Sequence, residues 1–252
     1  MQPRYDSSYH SLQLSAVHRF SGSSQVSAFY TWSKNLTTSP NDRSTSPQDA
    51  YNIPLERQLA AFDRRHILSI NYVYELPFFR KRQDLIGKLL GGWQANGIVT
   101  YNTGLPFTAT TSSYDAAGLG IVNTNPTARP NVTCNPNVGG NRDRLQWFNT
   151  ACFQLNAALL DANGNRILVP NTIGNAARGI ITGPPTTRFD LTLVKNLRFG
   201  ETFRVQFRAE GFNIFNHTNF RGLQANVTSA AFGQITTVRD PRNIQLGAKI
   251  FF

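Results

Sequence analysis

The chain has 252 residues, enough for one large domain or two small ones, and either could bury a core. Lys and Arg number 25 against 14 Asp and Glu, a net charge of +11, yet charged residues are only 15% of the chain, where about a quarter is usual. The basic excess is therefore a shortage of acids, and no apolar run approaches the ~18 residues of a membrane-spanning helix. The polar weight falls on Asn, Thr, Ser and Gln, and Phe, Tyr and Trp reach 12%, a composition that suits strands, turns and loops. The opening stretch Met1 to His10 has no apolar core of the kind a secretory signal needs. The expectation at this stage is a cytoplasmic protein or a chain whose true beginning lies upstream.

Alternation with period two is the main signal, and helical periodicity is almost absent. Leu12, Leu14, Ala16 and Phe20 oppose Ser11, Gln13, Ser15 and Arg19; a tight turn at Ser21-Gly22-Ser23-Ser24 leads to Val26, Ala28, Tyr30 and Trp32 opposing Ser27, Thr31 and Ser33. These two segments predict a hairpin. After a loop-like stretch at 35–64, a third strand sets Leu68, Ile70, Tyr72, Tyr74 and Leu76 against Ser69, Asn71 and Glu75. A connection carrying Arg80, Lys81, Arg82 and Lys88 leads to a fourth, with Trp93, Ala95, Val99 and Tyr101 against Gln94, Asn96, Thr100 and Asn102.

Residues 108–187 are dense in Asn, Gly, Pro and Thr and include both cysteines; a structureless loop of that size is unusual unless it has a job. A fifth strand follows (Phe189, Leu191, Leu193 and Leu197 against Asp190, Thr192 and Asn196). Phe199-Gly200-Glu201-Thr202 turns it into a sixth, with Phe203, Val205, Phe207 and Ala209 against Arg204, Gln206, Arg208 and Glu210. A long connection at 216–242 precedes the seventh, where Ile244, Leu246, Ala248, Ile250 and Phe252 alternate with Asn243, Gln245, Gly247 and Lys249.

The connections alternate short and long, at about four, thirty, sixteen, eighty, four and twenty-seven residues. All short ones then lie at one end of an antiparallel meander and all long ones at the other. The predicted fold class is all-β, part of a transmembrane outer-membrane β-barrel with short periplasmic turns and long extracellular loops. Trp32, Tyr72, Tyr74, Trp93, Tyr101, Phe203 and Phe252 would form its interfacial girdles. The competing reading is a secreted or surface β-sandwich that binds carbohydrate, its apolar faces meeting in a core, since alternation alone does not separate the two.

Asp63-Arg64-Arg65-His66 running into Asn71-Tyr72-Val73-Tyr74-Glu75-Leu76-Pro77, then Gly91-Gly92-Trp93-Gln94 and Thr103-Gly104-Leu105-Pro106-Phe107, resemble the barrel of TonB-dependent outer-membrane receptors of the Oar-like kind. Arg188-Phe189-Asp190-Leu191, the run from Phe207 to His217, and Asp240-Pro241-Arg242 before Ile244 resemble that family's closing strands. The resemblance implies a barrel of about 22 strands filled by an N-terminal plug, which an energised TonB complex pulls to admit a ligand. Residues 1–252 would be the C-terminal part of that barrel, located in the cell outer membrane. The plug, the TonB box, the signal peptide and the remaining strands are all missing from this sequence. The implied partners are outer-membrane lipid, the missing plug and strands, the TonB complex acting through the plug, and the outer-membrane insertion machinery. A passive porin-type barrel is a further alternative.

Ile244, Leu246, Ala248, Ile250 and Phe252 resemble the terminal signal that the insertion machinery reads. Arg204, Arg208 and Glu210 share one face and are expected in the lumen, where they would meet plug or substrate. Lys195 sits among apolar-face residues, its stem expected along lipid and its ammonium in water. Cys134 and Cys152 offer neither a metal quartet nor a CxxC pair; an oxidising compartment would allow one disulfide between them, stiffening the long loop. His10, His18, His66 and His217 show no metal-ligand spacing. Gly118-Leu119-Gly120 lacks the rest of a dinucleotide fingerprint. No catalytic arrangement can be defended, so the expectation is a non-enzymatic protein without cofactors. The scattered basic residues, with one cluster at Arg80, Lys81 and Arg82, do not suggest nucleic acid.

Overall fold

The structure, a computed structural model, describes residues 5–20, 22–39, 47–49, 52–79, 84–111, 129–155, 159–160, 166–167, 173–199 and 203–252. The basic cluster at 80–82, the glycines at 118–120 and the turn at 200–202 lie outside these residues. Seven long strands form one sheet: β1 (Ser7–Arg19), β2 (Gln25–Thr37), β3 (His66–Glu75), β4 (Trp93–Asn102), β5 (Thr186–Phe199), β6 (Phe203–Phe212) and β7 (Asn243–Phe251). Each pairs antiparallel with its sequence neighbours, in the order β1 to β7. The seven expected strands and their meander are thus all present, with β1 beginning earlier than the alternation suggested.

Register builds two unlike faces. Ala16, Ala28, Ile70, Val99 and Phe189 lie side by side across five strands, and Tyr74, Ala95, Leu193, Ala209 and Leu246 form another apolar row. The opposite face carries rows such as Arg19, Gln25, Val73, Asn96, Thr192, Glu210 and Gln245. Within the apolar face, Gly97 stands opposite Tyr72. A Cβ on Gly97 would lie 2.4 Å from the Tyr72 hydroxyl, so the ring lies over the glycine and covers the backbone that the missing side chain leaves open.

Among the described residues no second sheet stacks on the apolar face. The two-residue strand Gln58–Leu59 pairs with the end of β2 in the same sheet; the other β-pairs are two-stranded and lie within the long connections, and Leu246 is 81% exposed. This overturns the sandwich reading, which needs two such faces packed about 10 Å apart. The sheet is open, with β1 and β7 as its edges.

A short helix, α1 (Leu85–Leu90), in the connection between β3 and β4 was not legible. Six residues are too few to display a helical period. Its start is fixed by Asp84, whose carboxylate accepts from the Gly87 N–H at 2.9 Å, and Gly92, at φ +68°, turns the chain into β4.

The buried apolar core lies away from the sheet. It comprises Ala109, Trp147, Phe148, Cys152, Phe153, Ala176, Ile181, Leu223 and Ile235, all from the long connections at 103–185 and 213–242. The molecule is therefore a wall with an open greasy face and a folded cap at one end.

Candidate functional site

The cap is built around aromatic rings. Phe148, Phe153 and Phe232 meet edge to face with centroids 5.2–5.8 Å apart, and Trp147 meets Phe220 the same way at 6.1 Å. Backbone bonds sew the two connections together: Trp147 N–H to the Gly233 carbonyl at 2.8 Å, and Ile235 N–H to the Arg144 carbonyl at 2.8 Å. The indole N–H of Trp147 donates to the Thr182 carbonyl at 2.9 Å, and Arg142, at φ +57°, holds its guanidinium 5.5 Å from the same ring. Cys134 and Cys152 are bridged, Cα–Cα 5.0 Å, with Cys152 fully buried in the aromatic core. Residues 129–155 are thus a folded unit, not the structureless stretch their composition suggested. Their apolar residues are irregularly spaced, and a core assembled from two distant loops leaves no period in either.

A second knot ties the 38–65 connection to the first. Glu56, in the turn Ile53–Glu56, is fully buried and accepts from Arg129 Nη1 with both carboxylate oxygens, at 3.0 and 2.9 Å. Arg178 Nη2 also donates to Glu56, and the Gln48 N–H reaches it at 3.0 Å. Burial holds the Arg178 guanidinium below its ordinary pKa, the neighbouring carboxylate offsetting part of that and Arg129 adding to it. Among the described residues two cations surround one anion, and Arg129 Nε and Arg178 Nη1 find no acceptor. This cluster leaves no local signature, because its arginines stand 73 and 122 residues from Glu56.

Polar clamps join cap to wall. Asn213, at φ +50°, ends β6 in a tight turn: its N–H donates to Asp190 at 2.9 Å, and its side chain exchanges bonds with the backbone of His217 at 3.0 Å. Asn tolerates this left-handed backbone better than most residues, which explains the pair of asparagines around Ile214-Phe215. Asn219 then grips both backbone groups of Thr187, at 2.7 and 2.8 Å. In the loops nearby, Arg64 donates to the Thr103 carbonyl at 2.7 Å, and burial, with help from Arg239, lowers its pKa.

Of the residues singled out from sequence, Arg204, Arg208 and Glu210 lie together on the polar face of β6. Arg208 reaches Glu210 at 3.9 Å, and Gln245 of β7 donates to the same carboxylate. Ile244, Leu246, Ala248 and Ile250 lie along the apolar face of β7, and Phe252 follows the strand at 99% exposure. Lys195 departs from expectation. It is buried, and its ammonium donates to the Gly91 carbonyl just past α1, so it finds backbone instead of water. The carbonyls at a helix end attract a cation, and α1 was the element the sequence hid. Of the four histidines, His66 is 2.7 Å from the Tyr30 hydroxyl and His18 stacks edge-on against Phe20. Among the described residues no group of three or more His, Cys, Asp or Glu is placed to hold a metal.

A search of curated proteins and one of solved structures each returned no match. A family model, described as an outer membrane beta barrel domain, matches residues 1–245, nearly the whole chain. Its match agrees with the meander, the unlike faces and the segregated loops, and it places the protein in the outer membrane, the apolar face against lipid. The chain belongs to the outer membrane β-barrel domain family.

Proposed function

We propose that residues 1–252 are the C-terminal part of the barrel of a TonB-dependent receptor of the Oar-like kind, a non-enzymatic transporter that binds a ligand outside and admits it with energy from the TonB complex. The observation that carries this reading is the open seven-stranded wall, whose long connections fold together into one cap at one end. An odd number of strands running up and down would close only through a parallel seam between β1 and β7, unlike the antiparallel closure of such barrels. Unpaired edges in hydrocarbon cost several kcal/mol per orphaned group, so further strands of the same receptor complete the wall.

In this reading the plug sits against the polar face, where Arg204, Arg208 and Glu210 face it or the passing ligand. The cap built largely from 108–187 makes first contact with ligand. The terminal pattern from Ile244 to Phe252 is read by the insertion machinery. The test is the size and content of the mature protein in outer-membrane fractions, detected with an antibody against 129–155 and mapped by mass spectrometry. A polypeptide far larger than 28.1 kDa that carries a plug and a TonB box is the expected result. A mature product of 28.1 kDa overturns the reading and favours a passive porin-type barrel.

A further inference from the structure

We propose that Arg198, Arg204 and Lys249 form a binding site for an oxyanion, a carboxylate or phosphate group, on the polar face of the wall beside the turn joining β5 to β6. Arg198 and Arg204 stand directly opposite each other in the β5–β6 register. Residues so paired have Cβ atoms about 5 Å apart, and like charges there destabilise a sheet. Arg204 faces Phe251 in the next register pair, its guanidinium 4.0 Å from the ring centroid, and Lys249 holds its ammonium 4.8 Å from the same centroid. One aromatic ring thus gathers two cations beside a third.

Nothing described nearby neutralises them. The described carboxylate side chains on this face of β5–β7 are Glu210, which already serves Arg208 and Gln245, and Asp190, which pairs with Arg188 at 2.8 Å. Among the described residues no carboxylate lies within ion-pair distance of Arg198, Arg204 or Lys249. Two planar guanidinium forks and an ammonium converging from adjacent strands match the several acceptor oxygens of one oxyanion, which would turn the cross-strand repulsion into attraction. Phe251 keeps the cations extended over the face instead of splayed into solvent.

Two sources could supply that group: a free anion, or a carboxylate on a polypeptide segment lying against the face. The protein, purified in detergent, is heated with sodium phosphate or with sodium chloride at matched ionic strength. With a free anion, phosphate raises the unfolding midpoint saturably by several degrees more than chloride. Arg198→Gln and Arg204→Gln lose that response, and Arg144→Gln in the cap keeps it. Without phosphate, Arg198→Gln unfolds at or above the parent's midpoint, because it removes one of two opposed like charges. With a polypeptide source, carbodiimide couples Lys249 to an Asp or Glu outside β5–β7, and added phosphate suppresses that coupling. A phosphate response equal in parent and variants overturns the proposal. So does the lack of any response together with no such coupling, and so does coupling of Lys249 to Glu201 or Glu210, which would mean that the hairpin neutralises its own cations.

Discussion

The wall and the cap solve opposite problems with the same alphabet. In the cap, Phe148 and Ile181 are fully buried among other rings and aliphatic groups, as in any water-stable core. In the wall, Leu246, Ile244 and Leu14 stay open on a face that no described residue covers, as suits a face whose neighbour is hydrocarbon. Their polar groups differ in the same way. The wall satisfies its backbone through strand pairing, whereas the cap ties loops with side chains: a buried carboxylate between two arginines, asparagines gripping backbone, and a disulfide. The lesson is that hydrophobic patterning alone does not locate a core; what the patterned face meets decides that.

The sharpest way to separate the two regions is to cut the knot at Glu56. Glu56→Ala leaves Arg129 and Arg178 buried without a counter-charge, a loss of about 3–5 kcal/mol in comparable buried pairs. The cap is expected to become protease-sensitive within 129–155, while the wall keeps its heat-modifiable mobility on gels. If both regions fail together, cap and wall are one cooperative unit and the division drawn above is wrong.

The reverse experiment strikes the wall alone. Val99 sits in the middle of β4 on the apolar face, between Ile70 and Phe189. Val99→Arg is expected to cost about 2–4 kcal/mol in a bilayer, where a cation near the midplane has no water. Equilibrium unfolding in lipid vesicles measures this. The cap's disulfide and protease resistance should be unchanged. A neutral outcome would mean that this face does not meet lipid.

What could be read from sequence follows the same division. Every wall strand announced itself, because a face that must be apolar over seven strands imposes strict alternation, as in Phe203, Val205, Phe207 and Ala209. The terminal strand and the shared face of Arg204, Arg208 and Glu210 follow from the same parity. The cap stayed hidden. Its core draws single residues such as Phe148 and Leu223 from separate loops, and Glu56 meets Arg129 and Arg178 only through tertiary folding. Phe251 was unassigned for a related reason: a lone aromatic on a polar face breaks the period, and its partners are cations on β6 and β7. Lys195 was misplaced because a six-residue helix supplies its acceptor.

A subtler test probes how tightly the wall packs without a core. A methyl group on Gly97 would meet the Tyr72 ring at 2.4–2.5 Å and the Asp190 carbonyl at 2.7 Å. Gly97→Ala is therefore expected to cost about 1–3 kcal/mol by overpacking. Adding Tyr72→Ala should recover only part of it, because the backbone carbonyl stays in place. Unfolding midpoints of the single and double variants measure the coupling, and full additivity would refute the packing of ring on glycine.

The smallest expected effect lies at the short-turn end, where the wall borrows a device more familiar from water-stable domains. Asp84 caps α1 through the Gly87 N–H, and the Lys195 ammonium of β5 is anchored on Gly91 at the helix's other end. Asp84→Ala should cost about 1 kcal/mol, the usual worth of such a cap. The helix's end is tied to β5 by the Lys195 ammonium on Gly91 and the Asn196 N–H on Gly92, both short local links, so the loss should stay local. Hydrogen exchange is expected to quicken at 85–91 and, more weakly, around Lys195, with no change in the cap. Faster exchange across 129–155 would instead show that the two ends of the molecule communicate through the wall, which an array of regular strand pairs gives no reason to expect.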